Sequence, residues 1–440
     1  MIAGRRPGWS GEDGQAVVLV GLSLMALLFA VGLAIDAGQL FVAKRTMQEA
    51  ADAASFAGAT QLYLGGTQLQ ATAAARADAT LNGFTDGVGG VSVTVNAPPS
   101  SGSFANDDRS VEVVITAQVR TSLVPAQAAS NLVRARSVAQ AAPFQSQFAV
   151  VALHPGAGPC ISVSSTGGIS VPQASGPPAR GGAMQANCSG TAVSLGGTGG
   201  ISDPLGLYSV GAVSPLSRVI GPVTQPAPRQ RDPFAGFPKP PAPSPFVSNS
   251  LFRVPASACD PATPLQPGVY SGGILNDQDP ATCPTVYLGT GIFVLRGGGL
   301  NQNAQTGQTI TNVPGGGAMI FNTHSNYPGT PGTCGDISAT QGGKIDVRAL
   351  TVGQSRQYAG MGLYQDAACT NVITIQSNGA LNVHGTLYAP TAQLSIESQS
   401  AGTIDAQIVV DSINLSSSGT LTVNYVPSQA AQTDLPALVE

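Results

Sequence analysis

The chain has 440 residues, enough for two or three domains with sizeable cores. Glycine and proline together fill one position in five, charged residues make up only 10%, and the formal net charge is −4. That balance excludes a basic nucleic-acid-binding protein and a charge-driven disordered chain. The three lysines, Lys44, Lys239 and Lys344, are too few for the wet faces of a helix bundle or coiled coil.

Charge is concentrated early, with 19 of the 42 charged side chains in residues 1–140, so a domain boundary is expected near 140. Residues 16–35 (AVVLVGLSLMALLFAVGLAI) carry no charge and as a helix would span about 30 Å, the thickness of a bilayer core. The competing reading is a secretory signal. An apolar core of about 7–15 residues and a small-x-small cleavage site would mark one, and the run fits neither. The expectation is an uncleaved anchor. Flanking charge hardly orients it, since Arg5 and Arg6 before the run nearly balance Lys44 and Arg45 after it. Ala26, Ala30, Ala34 and Gly38 form a small-residue stripe, which this alanine-rich composition produces by chance.

The helix is expected to continue from Gly38 towards Leu64, with Met47, Ala50, Ala51, Ala54, Ala57 and Gly58 on one face and Lys44, Arg45, Glu49 and Asp52 opposite. Gly65 and Gly66 offer a stop, and residues 67–82 predict a second, short helix. Val91, Val93 and Val95, then Val111, Val113 and Ile115, alternate as half-buried strands, and a third strand is expected over 131–139.

Residues 14–59 (GQAVVLVGLSLMALLFAVGLAIDAGQLFVAKRTMQEAADAASFAGA) resemble the N-terminal region of TadG-like proteins, in the TadE/TadG set of Flp (tight-adherence) pilus assembly. The resemblance is carried by Gly14, the apolar span, Asp36, Gly38, Leu40, Lys44, Arg45, Gln48, the block Ala50, Ala51, Asp52, Ala53 and Ala54, and Gly58. It implies a membrane-anchored envelope protein associated with pilus assembly or anchoring, with a pilin-like α+β region over 36–140. Pilins and TadE-like relatives carry a glutamate five residues after a glycine cleavage site. Here that position is Leu19, so processing at Gly14 is not expected.

All six cysteines, Cys160, Cys188, Cys259, Cys283, Cys334 and Cys369, lie in the second part of the chain. An even count without C-x-x-C reads as disulfides in an oxidising compartment, against the alternative of buried free thiols. Nearest-neighbour pairing is one of 15 connectivities. Disulfides break the topological tie, giving a single-pass cell-membrane protein with a cytoplasmic N-terminus and the bulk outside.

Residues 148–220 alternate short apolar stretches with glycine-rich turns. Ten prolines between 215 and 245 predict an extended connector with no sheet running through it. The segments PGVYSGGI (267–274), GIFVLRGGGL (291–300), YAGMGLYQD (358–366) and LNVHGTLYAP (381–390) resemble the C-terminal region behind some TadG-like N-termini. Alternation at Ile345/Val347, Ile373/Ile375, Leu381/Val383, Leu394/Ile396, Ile408/Val410, Ile413/Leu415 and Leu421/Val423 predicts short strands with one apolar row. A β-solenoid is the expected fold, and a β-sandwich is the alternative with the same alternation.

The expected organisation is a cytoplasmic tail (1–15), a transmembrane helix (16–35), the pilin-like region (36–140), a β-rich segment (141–212), a proline-rich linker (213–247), a β-rich C-terminal domain (248–427) and a flexible tail (428–440). No catalytic, cofactor or metal residues are expected. His154, His324 and His384 are far apart in sequence and read as isolated. Asp336, Ser338 and Thr340 match a metal-adhesion pattern only by chance, and no phosphate-binding loop, nucleophile elbow or calcium nonapeptide occurs. Asp346 with Arg348 and Asp405 with Asp411 are the charge neighbours to test. The first hypothesis is a structural, exported envelope protein working with pilus-assembly or envelope partners. The second is an anchored β-helix that binds or cleaves cell-surface polysaccharide, for which carboxylates clustered in one groove would speak. Trp9, the single tryptophan, falls on the cytoplasmic side of the expected anchor.

Overall fold

A computed structural model describes residues 12–63, 66–119, 121, 131–144, 147–173, 182–302, 307–426 and 429–439. The chain divides into two units, Met1–Pro143 with Asp434–Glu440, and Phe144–Thr433.

The first unit begins with one helix, α1 (Glu12–Tyr63), about 78 Å long at 1.5 Å per residue. No proline occurs between 8 and 97 to break it. Its apolar side chains from Val17 to Ile35 are exposed, and Asp36 is fully buried. Beyond Met47 one face turns inward, with Ala50, Ala51, Ala54 and Ala59 covered by the rest of the unit. A second helix, α2 (Gln68–Leu81), starts at Thr67, where a capping box satisfies two orphan donors. It buries Ala71, Ala75 and Ala79, one per turn. Strands β1 (Val91–Asn96), β2 (Ser110–Gln118) and β3 (Leu132–Phe144) pair antiparallel in sequence order. Val93, Val111, Val113 and Ile115 face the alanines of the helices.

The expected flexible tail is not one. Thr433–Leu438 forms a fourth strand beside β3, and the Val439 amide donates to the Val138 carbonyl at 2.9 Å. Residues 428 and 440 lie outside the described ones. Pro436 lacks a donor, which confines such a strand to an edge. The second unit is therefore an insertion between β3 and the strand that completes its sheet.

The second unit is a stack of parallel strands in three rows. One row runs in stacking order through Gly268–Ser271, Gly291–Arg296, Ala318–Thr323, Met361–Gln365, then the first parts of Thr386–Ser398 and Ile408–Ser417. It continues without a break into Phe148–Ala152, Ala183–Ala186, Leu207–Ser209 and Val223–Thr224. The chain thus enters the stack in its middle, builds one end, crosses to the other end and stacks back. The join lies where Ile408 and Ile413 pair with Val150 and Ile161. All the apolar pairs expected from Ile345/Val347 to Leu421/Val423 are buried inside the stack. At the corners, buried amides satisfy the chain, as where Asn276 donates to Gln302 and Gln308. Glycines let successive turns touch there. A Cβ at Gly298 would clash with the backbone of Gly272, which accounts for the paired glycines in SGGI and RGGGL.

The expected linker over 213–247 needs correction, as does the separation of 141–212 from 248–427. Ala212–Ser214, Val219–Ile220 and Val223–Thr224 are strands of the stack, because Pro215 and Pro222 sit at corners between them rather than inside them. From 225 to 247 the chain forms no strand and turns once, at 233–236, yet it lies along the stack as a strap. The Ala227 amide donates to Ser209 O, Asp232 accepts from the Tyr388 hydroxyl, Pro240 O accepts from the Tyr327 hydroxyl, and the Val247 amide donates to Val269 O. Phe234 and Phe237 are buried against Tyr388, Tyr358 and Tyr364. A proline-rich segment has few donors of its own to satisfy, so it can cover a sheet face without pairing with it. This cover explains why Phe148–Ala152, Ala318–Thr323 and Met361–Gln365 are buried at every position instead of alternating.

Asp203 lies in a turn of the stack with 1% of its surface exposed. Burial raises its carboxyl to about 6, although it accepts from the Leu205 and Gly206 amides. Between its ordinary range and that value the folded chain holds a proton that the unfolded chain releases, so stability falls as pH rises through this window. Asp203→Asn is expected to stabilise the protein at pH 7 by on the order of 2 kcal/mol and to be neutral near pH 4, as read by calorimetry at both pH values.

Candidate functional site

The residues that carry the sequence resemblance divide into two sets along α1. Between 15 and 42 the helix is dominated by exposed apolar side chains, with Phe41 82% and Val42 67% exposed. It is long and apolar enough to cross a membrane. At Gly38 an added Cβ would meet nothing within 4 Å. Lys44 and Arg45 are exposed, and Arg45 pairs with Glu49 one turn on, at 3.0 Å.

The second set docks the helix. Gln48 donates to Asp52 at 2.8 Å and to the Arg136 carbonyl of β3 at 2.9 Å. The hydroxyls of Ser55 and Ser137 meet at 2.9 Å, fully buried. Ala50 and Ala51 are buried, and a Cβ at Gly58 would lie 2.9 Å from Val111 Cγ1 and 3.3 Å from Ala75 Cβ. Small residues are needed because helix, helix and sheet meet here at backbone distance.

The cysteines pair as Cys160–Cys188, Cys259–Cys283 and Cys334–Cys369. The first bridge links neighbouring turns of the stack, since Ile161 pairs with Val193. The third does the same where Ile337 pairs with Ile373.

The histidines do not stay isolated. His384 lies between Asp346 and Asp405, with Nε2 3.2 Å from Asp346 and Nδ1 bonded to Asp405. Asn382 and Asn424 donate to the same two carboxylates. The hydrogen bond to Asp346 raises the His384 pKa, burial opposes it, and Asp405 adds to the rise. Arg348 is next in register to His384, whereas Asp411 sits elsewhere with His154, at 3.1 Å. His324 is buried beside Tyr327. Asp336 and Ser338 bond to Asn371 and Asn301, separate partners. Among the described residues no group of three His, Cys, Asp or Glu side chains is suited to a metal ion. Arg5, Arg6, Trp9 and Gly65 lie outside the described residues.

With the docking face and the apolar stretch on one helix, comparison with protein families is decisive. Residues 14–61 match a model described as "Putative Flp pilus-assembly TadE/G-like". The N-terminal segment is a TadE/G-like domain. Searches of curated proteins and of solved structures each gave no match. The TadE/G-like match ends at residue 61, two residues before α1 does, so the domain is this helix. It associates the chain with Flp/Tad pilus assembly and with a membrane-anchored N-terminus.

The two glycines of the TadE/G-like helix separate its two tasks. Gly58→Ala is expected to destabilise the first unit by about 1–3 kcal/mol through overpacking against Val111. Gly38→Ala should stabilise the helix slightly or be neutral. Thermal melts of both variants in detergent check this, and equal destabilisation would contradict it.

Proposed function

We propose that the protein is a single-pass, exported structural component of Flp/Tad-type pilus assembly or surface attachment, with its N-terminus in the cytoplasm and its bulk outside. The TadE/G-like match on a helix able to span a membrane carries the reading. Three disulfides support the exported orientation, because such bonds persist in oxidising compartments. We read the stack as a β-solenoid rather than a β-sandwich. Among the described residues every strand pair within the second unit is parallel, whereas sandwiches are built from antiparallel sheets. The role is non-enzymatic on this reading. The strap, the disulfides and the buried amides all serve rigidity, which suits a spacer or attachment module.

One observation favours the second reading, an anchored β-helix that binds or cleaves polysaccharide. Asp346 and Asp405 meet at His384 on a sheet face. Both carboxylates are held by neighbouring asparagines as well as by the histidine, which suits a structural network better than a poised acid and base.

The orientation is tested at Val352, 68% exposed in a turn of the second unit. A membrane-impermeant maleimide should label Val352→Cys in intact spheroplasts, with the labelled chain kept in the membrane fraction. Labelling only after lysis would refute the orientation, and a labelled, soluble, shortened chain would refute the anchor.

A further inference from the structure

The strap does more than cover the stack. Where it passes Ala183–Ala186 and Thr386–Ser398 it forms one wall of an open cleft of about 620 Å³. The sequence there is Pro-Arg-Gln-Arg-Asp-Pro, residues 228–233. Asn187, 4% exposed, fixes its centre by accepting from the Gln230 amide at 2.9 Å and donating to the Gln230 carbonyl at 2.7 Å. Prolines on both sides restrict the backbone further. Arg229 and Arg231, one on each side of the clamped Gln230, both line the cleft and are exposed. Among the described residues neither has an ion-pair partner. Arg229 donates to the Pro155 carbonyl at 2.6 Å.

Asp232 also lines the cleft, and among the described residues it bonds to neither guanidinium. Asp232 is turned to the Phe234 amide and the Tyr388 hydroxyl, and burial raises its pKa. The opposite wall is mixed, with Leu153, Ala367 and Pro390 giving apolar area and Thr391 a hydroxyl. The backbone that carries both arginines is held at Gln230, and guanidiniums suit a carboxylate, whose geometry they match in bidentate fashion. The mixed wall suits a ring with C–H faces and hydroxyl edges, and the volume is that of a small-ligand site.

We propose that this cleft binds a carboxylate-bearing saccharide, with Arg229 and Arg231 holding the acid group. The choice of an envelope glycan as its source rests on the exported placement proposed above, whereas binding itself is independent of topology. A membrane-facing failure at Val352 and a failure to bind sugar are therefore separate results.

The test is calorimetric titration of the full-length, detergent-solubilised chain with trigalacturonate, with neutral trigalactose and with inorganic phosphate. Trigalacturonate should bind, more weakly as salt rises. Trigalactose should bind at least about tenfold more weakly, and Arg231→Ala should weaken trigalacturonate by about tenfold or more. Arg231→Lys should recover part of that loss, since it keeps charge but not the fork. The thermal midpoint of Arg231→Ala should match the parent, as the side chain is exposed. No binding of trigalacturonate, or binding unchanged in Arg231→Ala, would overturn the proposal. Equal affinity for phosphate and trigalacturonate would overturn the saccharide assignment and leave a simple anion site.

Discussion

Parallel backbone pairing between Ile408–Ser417 and the two strands Phe148–Ala152 and Ile161–Val163 is the contact on which the second unit depends. Without it the unit would be two stacks, each with an unpaired edge of strands able to recruit other chains. With it, residues some 250 positions apart share one apolar interior. Its ends are blunted differently, by Pro215 and Pro222 at one and by Pro255 and Pro267 at the other, where missing donors discourage further strand addition. The loops that must close before this pairing forms are long, so folding is expected to be slow for the chain's size.

The other devices follow from that join. Because the chain must cross from one end of the stack to the other, it needs a segment that runs along the strands without competing for their hydrogen bonds. Proline supplies the missing donors, and Phe234 and Phe237 supply the apolar cover. Lys239 adds an ion pair with Asp366 at 2.7 Å, where the carboxylate is completely buried and also accepts from Thr323. The chain enters and leaves the stack at strands in its middle, and the sheet of the first unit takes its last strand from Thr433–Leu438. The TadE/G-like helix thus belongs to a unit built from both ends of the chain.

Much of the architecture was legible from local pattern. The apolar run, the alanine face of α1, the helix over 68–81 and the alternating strands are one-dimensional signals, and they sit where the pattern places them. What escaped was non-local. Strand 433–438 has no strong alternation because its partner, β3, sets its register. The proline run reads identically as a free connector and as a strap, and partners distant in sequence, among them Tyr327, Tyr358, Tyr364 and Tyr388, decide between them. His384 reads as isolated because Asp346 and Asp405 lie 38 and 21 residues away, and turns of unequal length leave no fixed spacing to recognise. The arginine cleft was hidden for the same reason, since Asn187 clamps Gln230 across 43 residues. The TadE/G-like signature was legible because its apolar stretch and its docking face are both written into a single helix.

The join between the two ends of the stack can be tested directly. Ser162 and Asn414 are paired neighbours on the outer face of the joining strands, both half-buried. In the double variant Ser162→Cys with Asn414→Cys, a new disulfide should form on purification and appear as one cross-linked peptide in non-reducing digests, beside the three native bridges. Two free thiols at these positions in folded, membrane-extracted protein would contradict a single continuous stack.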